Sequence, residues 1–289
     1  MLSRRAVIKG LLLTGIGSAT GTAAYGVAYA RHQIGVTLAS LPVSGLPPAL
    51  EGLRIGLMTD VHHSAMVPAS DVKKAVDLLM AQQPDVIVLG GDYISFGDRA
   101  FVDPVAELLA LLQAPHGVFA ILGNHDDERA VTEALTKRSV TVLNDTRTRL
   151  GVRGESLELA GVRFWTRKPG DIARVLRGAT GATLLLAHDP RRLTEAAALN
   201  VPAVLSGHTH GGQVVLPGLD TATRRRFPVL QGLGAKNDTS IFVSRGVGTV
   251  YVPVRINCPP EVAILTLARP QHLSRHGGLP HASGLTEPA

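Results

Sequence analysis

From residue 54 onward, short apolar runs alternate with helical stripes. Arg54–Thr59 is an apolar run that ends in Asp60. Val72, Ala75, Val76 and Leu79 then recur at i, i+3, i+4 and i+7, the spacing of one buried helical face; Ser70-Asp71 reads as the cap and Pro84 as the stop. Asp85–Leu89 is a continuous buried-strand run closed by Gly90-Gly91-Asp92. Val105, Leu108, Leu109 and Leu112 give a second helical stripe after Asp103-Pro104, and Gly117–Leu122 is a third strand ending in Gly123-Asn124-His125-Asp126. Strand, helix, strand, helix, strand predicts a largely parallel sheet covered by helices. Ligands bind such sheets off the carboxyl ends of the strands, which is where the polar clusters fall.

The second half repeats the theme less regularly. Ala130–Arg138 reads as a helix, and Leu157–Trp165, Ala182–Ala187 and Val201–Leu205 read as strands, the last two followed by His188 and by Gly207-His208. Runs at Val214–Leu216, Ile241–Ser244, Val250–Val254 and Val262–Leu267 have no long helices between them and predict a second sheet of antiparallel hairpins. Residues 31–52, with Pro42, Pro47 and Pro48, read as a linker and lead-in to a catalytic domain over 53–269. The Gly- and Pro-containing tail 270–289 reads as disordered.

Composition narrows the chemistry. The single cysteine, Cys258, excludes an internal disulfide and a cysteine-based zinc site, so any metal is held by His, Asp, Asn or Glu. Cys258 itself reads as a small buried residue. The formal charge of +6 suits anionic substrates or a polyanionic envelope. Arg224-Arg225-Arg226 is the tight basic run, either a solvated loop or a contact to phosphate.

The N-terminus reads as an address. Ser3-Arg4-Arg5-Ala6-Val7-Ile8-Lys9 precedes a charge-free stretch, Gly10–Ala30, that ends in the small-x-small form Ala28-Tyr29-Ala30. This is similar to a twin-arginine export signal, with Val7 and Ile8 where that pattern prefers Phe and Leu. The same stretch is long enough to remain as an anchor, so residues 1–30 are a cleaved signal or a retained one. Either way the expected location is outside the cytoplasmic membrane: periplasm, cell wall or membrane surface, reached through the twin-arginine machinery.

Five strand-end blocks hold the candidate chemistry: Asp60-Val61-His62, Gly91-Asp92, Gly123-Asn124-His125-Asp126, His188, and Gly207-His208-Thr209-His210. They offer a mixed nitrogen and oxygen donor set, which suits Mn, Fe, Zn or Co over Mg or Ca. Asp60, His62, Asp92, Asn124, His188, His208 and His210 make seven ligands, too many for one ion and right for two ions bridged by one carboxylate. Two ions about 3.5–4 Å apart form a clamp for phosphoryl hydrolysis.

In order and spacing these blocks closely resemble the calcineurin-like metallophosphoesterase superfamily. The resemblance runs over residues 50–268, including Ser244–Thr249 and Cys258–Glu261. The Gly-His-Thr-His-Gly-Gly-Gln form and the export signal are most similar to its exported bacterial phosphodiesterase branch, which includes enzymes acting on UDP-diacylglucosamine or related envelope substrates. The resemblance implies a four-layer αββα sandwich of two mixed β-sheets flanked by helices. It implies that Asp60, His62 and His210 hold one divalent ion (Mn, Fe or Zn), that Asn124, His188 and His208 hold another, and that Asp92 bridges them. His125 would serve the leaving oxygen or the transition state, and Asp126 would stand behind it as an orienting partner. His63 has no role in this scheme.

The implied activity is hydrolysis of phosphodiester or pyrophosphate bonds, lipid-linked or nucleotide-linked, by attack of a metal-bridging hydroxide. A phosphomonoesterase or nuclease on the same site, or an inactive envelope-binding protein on this fold, are the alternatives. The expected state is a monomer with peripheral membrane contact and no specific nucleic acid partner. Two segments bear on specificity: Arg163–Lys168, which adds positive charge and Trp165, and Leu216–Leu233, a basic and partly apolar lip after the histidine pair.

Overall fold

Strand Val86–Leu89 shows how these runs become layers. Side chains alternate across a strand, so Val86 and Val88 face one apolar cluster while Ile87 and Leu89 face another. A strand buried on both faces has to read as a continuous apolar run. The computed structural model describes residues 20–22, 24–216 and 225–270. The expectations for Arg4–Lys9, for Arg224 and for the tail after Pro270 lie outside those residues.

Among the described residues there are two six-stranded sheets. In the first, β1 (Gly35–Pro42) pairs parallel to β12 (Glu261–Ala268), which runs antiparallel to β2 (Arg54–Met58); β3 (Val86–Leu89), β4 (Val118–Ala120) and β5 (Thr141–Val142) follow in parallel. In the second, β6 (Thr146–Val152) is antiparallel to β7 (Glu155–Val162). Then β8 (Ala182–Ala187), β9 (Ala203–Ser206) and β11 (Thr239–Val243) continue in parallel, and β10 (Gly232–Lys236) closes the far edge antiparallel to β11. Helices α1 (Ala69–Met80), α2 (Val102–Leu109) and α3 (Glu128–Thr136) cover the first sheet, and α4 (Pro169–Leu176) and α5 (Leu193–Ala198) the second.

The two sheets face each other. Leu57, Val88, Phe119 and Ile121 from the first pack with Leu159, Leu184, Leu186, Leu205 and Phe242 from the second in one buried cluster. The architecture is a four-layer αββα sandwich of two mixed sheets.

Several boundaries differ from the sequence reading. The lead-in carries β1, an edge strand of the first sheet. Val262–Leu267 belongs to the first sheet, between β1 and β2, rather than to a hairpin of the second. Its alternation explains this: Val262 and Ile264 face the α1–α3 layer while Ala263, Leu265 and Leu267 face the inter-sheet core, so both faces need cover. Val250–Val254 forms no strand, and Val214 makes only an isolated bridge to Ile256. Helix α1 starts at Ala69 with Pro68 as its N-cap, so Ser70 and Asp71 lie in its first turn. Pro104 likewise lies in the first turn of α2, where its missing N–H costs nothing. No helix among the described residues is long and apolar enough to cross a membrane.

Candidate metal centre

Parallel pairing of β2, β3 and β4 brings their carboxyl ends to one edge, and β8 and β9 do the same in the second sheet. The turns leaving those ends are laced together by backbone hydrogen bonds. The Asp60 N–H donates to the Gly91 carbonyl at 2.9 Å, His62 N–H to Asp92 at 3.0 Å, and Gly207 N–H to His188 at 3.1 Å. This lacing holds a strained backbone: Asp60, His62, Asp92, His208 and His210 all have positive φ, from 49° to 71°. Such conformations cost about 1–3 kcal/mol each and persist where the surroundings over-determine them, as at functional sites. The glycines in the motifs provide clearance. A Cβ on Gly123 would collide with the Asp92 carboxylate, and one on Gly207 with that of Asp60.

The ligand atoms of Asp60, His62 and His210 lie within 4.8 Å of one another, and those of Asp92, His188 and His208 form a second such group. His62 Nε2 is 3.2 Å from His210 Nε2, and His210 Nε2 is 3.4 Å from Asp60 Oδ1. Asp92 Oδ2 stands between the groups, 3.6 Å from His62 Nε2 and 3.0 Å from His188 Nε2. His188 Nε2 is also 3.9 Å from Asp60 Oδ1.

The buried polar atoms left without partners fit divalent cations. His188 Nδ1 lies 2.7 Å from the Gly90 carbonyl and donates to it, which in the neutral ring leaves a lone pair on Nε2. That lone pair faces the Asp92 carboxylate without making a hydrogen bond. Two opposed lone pairs in a buried site require a cation or a proton between them. Asn124 Oδ1 is buried and unpartnered as well. The unsatisfied polar atoms therefore include a fixed imidazole nitrogen facing a carboxylate and a free amide oxygen.

The titration behaviour has the same origin. Burial works against a charged His188, yet Asp92 and then Asp60 push it up to about 10. Burial likewise opposes ionisation of Asp92, and His188 outweighs it, holding the carboxyl well below the usual range. Asp60 is pushed up to about 6 by burial and by the charge of Asp92. Burial lowers His62 and His208 to about 4, and carries His210 well below its usual value. At neutral pH three imidazoles are thus uncharged, the form that ligates metal.

His125 belongs to neither group. Its ring lies edge-on to His62, centroids 5.0 Å apart, and its backbone N–H donates to Asp92 Oδ1 at 2.8 Å. The Phe96 N–H donates to His125 Nδ1 at 3.1 Å. This interaction assigns the ring proton to Nε2. Burial lowers its pKa, so the neutral Nε2–H form prevails at pH 7.

Asp126 differs from the sequence reading. It is not a partner of the His125 ring; its carboxylate accepts the backbone N–H groups of Asp92 (2.8 Å), Tyr93 (2.8 Å) and Gly123 (2.9 Å). It ties the turn after β3 to the turn after β4. Burial, then the charge of Asp92, raises it to about 7.

Of the other residues near the centre, Ser95 and Arg255 carried no sequence signal of their own. Ser95 Oγ is 3.2 Å from His62 Nδ1. Phe164 lies 5.2 Å from His208 and 6.0 Å from His188, so the Arg163–Lys168 segment supplies an apolar wall, with Arg167 stacked over Phe164 and Trp165. Arg163 is spent on Asp145 and Glu128. From the Leu216–Leu233 lip, Phe227 packs 5.6 Å from His208 under Arg191. Arg255 is wholly buried and donates to the carbonyls of Arg245, Gly246 and Cys258. Cys258 is buried, and its thiol donates to the His210 carbonyl at 3.1 Å. His63 points away, with Nδ1 2.9 Å from the Val67 carbonyl.

A sequence model of calcineurin-like phosphoesterases matches residues 53–212. Among curated proteins, the chain is 32% identical to Phosphodiesterase YaeI of Escherichia coli, over 74% of this chain and 82% of that protein. It is 30% identical to the metallophosphoesterase YkuE of Bacillus subtilis, over 92% of this chain and 98% of that protein.

Proposed function

The chain belongs to the calcineurin-like phosphoesterase family and is a metal-dependent phosphoester hydrolase; from that premise we propose that it cleaves phosphodiesters or pyrophosphates outside the cytoplasmic membrane. In this reading Asp60, His62 and His210 hold one divalent ion, Asn124, His188 and His208 hold a second, and Asp92 reaches both. The observation that carries it is Asp92 Oδ2, 3.0 Å from one histidine nitrogen and 3.6 Å from another, one in each group. When bound, the ions supply Lewis acidity and lower the pKa of a water from 15.7 towards about 7.

The protein's own groups do the rest. Gly90 fixes the His188 ring, and the Gly123, Asp92 and Tyr93 amides held by Asp126 keep the Asp92 turn in register. His125 presents Nε2–H to the leaving oxygen; its imidazolium form gives up that proton as the P–O bond breaks and returns to the neutral ring.

Diester over monoester cleavage is supported by the relative named a phosphodiesterase and by apolar groups at both ends of the centre, Phe96 beside His125 and Phe164 and Phe227 beside His208. A lipid-linked or UDP-linked envelope substrate is the narrower form of the proposal. It is supported by a cavity of about 430 Å³ beside Gly211, lined by Val215, Phe227, Leu230 and Leu233. The test is a panel of a nitrophenyl phosphate, its bis ester, a UDP-linked and a lipid-linked pyrophosphate, with Mn, Fe or Zn added. The bis ester or a pyrophosphate should be turned over faster than the monoester. Chelation should abolish that activity and metal should restore it. A chain that cleaves only the monoester sinks the diesterase reading.

Export is proposed on the Arg4-Arg5 pair and the charge-free Gly10–Ala30 stretch. Replacing both arginines with lysine should leave the protein in the cytoplasm on cell fractionation. If the variant partitioned like the parent, twin-arginine export would be excluded.

A further inference from the structure

Two large aromatic side chains stand open beside His125. Phe96 is 58% exposed and Tyr251 73% exposed. Their rings lie 4.9 Å and 6.1 Å from the His125 ring and 5.5 Å from each other. Both residues have positive φ, 55° and 62°, a conformation that bulky L-residues rarely adopt. Neither ring is buried, so burial does not compensate for the strained backbone.

Specific hydrogen bonds hold the backbone that carries each ring. On one side, the Phe96 N–H donates to His125 Nδ1 and the Gly97 N–H to the His125 carbonyl at 2.8 Å. On the other, Gln213 grips the Tyr251 loop from beneath. Its Nε2 donates to the Val250 and Val252 carbonyls at 3.2 Å and 2.9 Å, and its Oε1 accepts the Val250 N–H at 3.1 Å. Gln213 is buried and itself has φ 56°. It is the last residue of Gly-His-Thr-His-Gly-Gly-Gln, so the turn that carries His208 and His210 also fixes the backbone on either side of Tyr251.

We infer that Phe96 and Tyr251 form a stacking subsite for a planar ring on the leaving group, and that Gln213 is the positioning residue that presents it. The inference rests on the reading of His125 as the donor to the leaving oxygen. The group attached to that oxygen then comes to lie against the two exposed rings beside His125. Exposed aromatic faces take planar rings by stacking, largely without regard to their hydrogen-bonding edges. Phe164 and Phe227 face the other end of the centre, at His208, and so contact the group that stays on phosphorus. The substrate class is a diester whose departing alcohol carries an aromatic ring or a nucleobase.

The test compares methyl benzyl phosphate with methyl cyclohexylmethyl phosphate, whose departing alcohols match in reach and nearly in basicity and differ in planarity. The metal-loaded wild type should release benzyl alcohol with a kcat/KM about tenfold higher than that for cyclohexylmethanol, within the range measured for base–aromatic stacking. Tyr251→Ala should bring that ratio close to one, mainly through KM, and Tyr251→Trp should keep it. Gln213→Leu should lower the ratio in the same way while metal content per chain stays at the wild-type level. A Tyr251→Ala variant with the wild-type ratio overturns the subsite. A wild-type ratio in Gln213→Leu overturns the role of Gln213. A wild type that cleaves both diesters equally also overturns the subsite and leaves the diesterase reading standing. A wild type that cleaves neither overturns the diesterase reading, and the subsite with it.

Discussion

Asp92→Asn is expected to lower kcat on a bis ester by at least about a thousandfold and to reduce metal content from two ions per chain to one or none. The substitution keeps the shape of the side chain and removes its charge. The native carboxylate uses Oδ1 to accept the His125 N–H at 2.8 Å and turns Oδ2 to His188 at 3.0 Å and His62 at 3.6 Å. An amide has one carbonyl oxygen and so serves the His125 turn or the cations, and its NH₂ opposes any cation that approaches. The anion that raises His188 to about 10 is lost as well, leaving a buried imidazole with no carboxylate of its own group. Metal analysis of the purified variant, alongside its circular dichroism, separates loss of the centre from loss of the fold. A folded Asp92→Asn protein with two ions and full turnover would sink the assignment of the site.

His125→Asn is expected to behave differently: both ions stay, and kcat falls by about 10²–10⁴-fold. The His125 ring makes its one side-chain hydrogen bond to Phe96 and belongs to neither ligand group. The deficit should depend on the leaving group. Departure of an alkoxide needs a proton, so the variant should be slowest on an alkyl diester. A nitrophenolate leaves without one, so most of the loss should disappear on the bis(nitrophenyl) ester. Parallel kcat measurements on the two substrates read this directly. An equal deficit on both would give His125 a role in binding or transition-state charge instead of proton donation.

How much was legible in the chain follows from the reach of each interaction. The apolar runs Arg54–Thr59, Asp85–Leu89, Ala182–Ala187 and Val201–Leu205 were visible because a strand buried on two faces is continuous in sequence. Asp60, Asp92, His188 and His208, each within three residues of the end of such a run, were visible for the same local reason. Placing Val262–Leu267 was not local. Its partners, β1 and β2, lie more than two hundred residues away, and nothing in the run distinguishes one sheet from another. The strand inside residues 31–52 was masked by its prolines and by an alternation too half-exposed to signal burial. Asp126 was misread in its partner because adjacency to His125 says nothing about which backbone amides its side chain will reach.

By itself, then, the sequence determined the donor types, their order along the chain and the alternation of strands and helices that carries them to strand ends. Those follow from side-chain chemistry and from periodicities of two and 3.6 residues, which are local properties. How the donors divide was in the sequence only as what the family resemblance implies; the physical cause is tertiary packing, which gathers Asp60, His62 and His210 on one side and Asp92, His188 and His208 on the other. Only the tertiary structure decided that Gln213 grips the loop of Tyr251 and that Phe96 reaches the His125 ring. These are contacts between the turns of different strands, created when two sheets pack face to face and their carboxyl edges converge, so no stretch of the chain contains them. The histidine pair of Gly207–Gln213 reads locally as one metal turn; the packing of the sheets splits it between two groups.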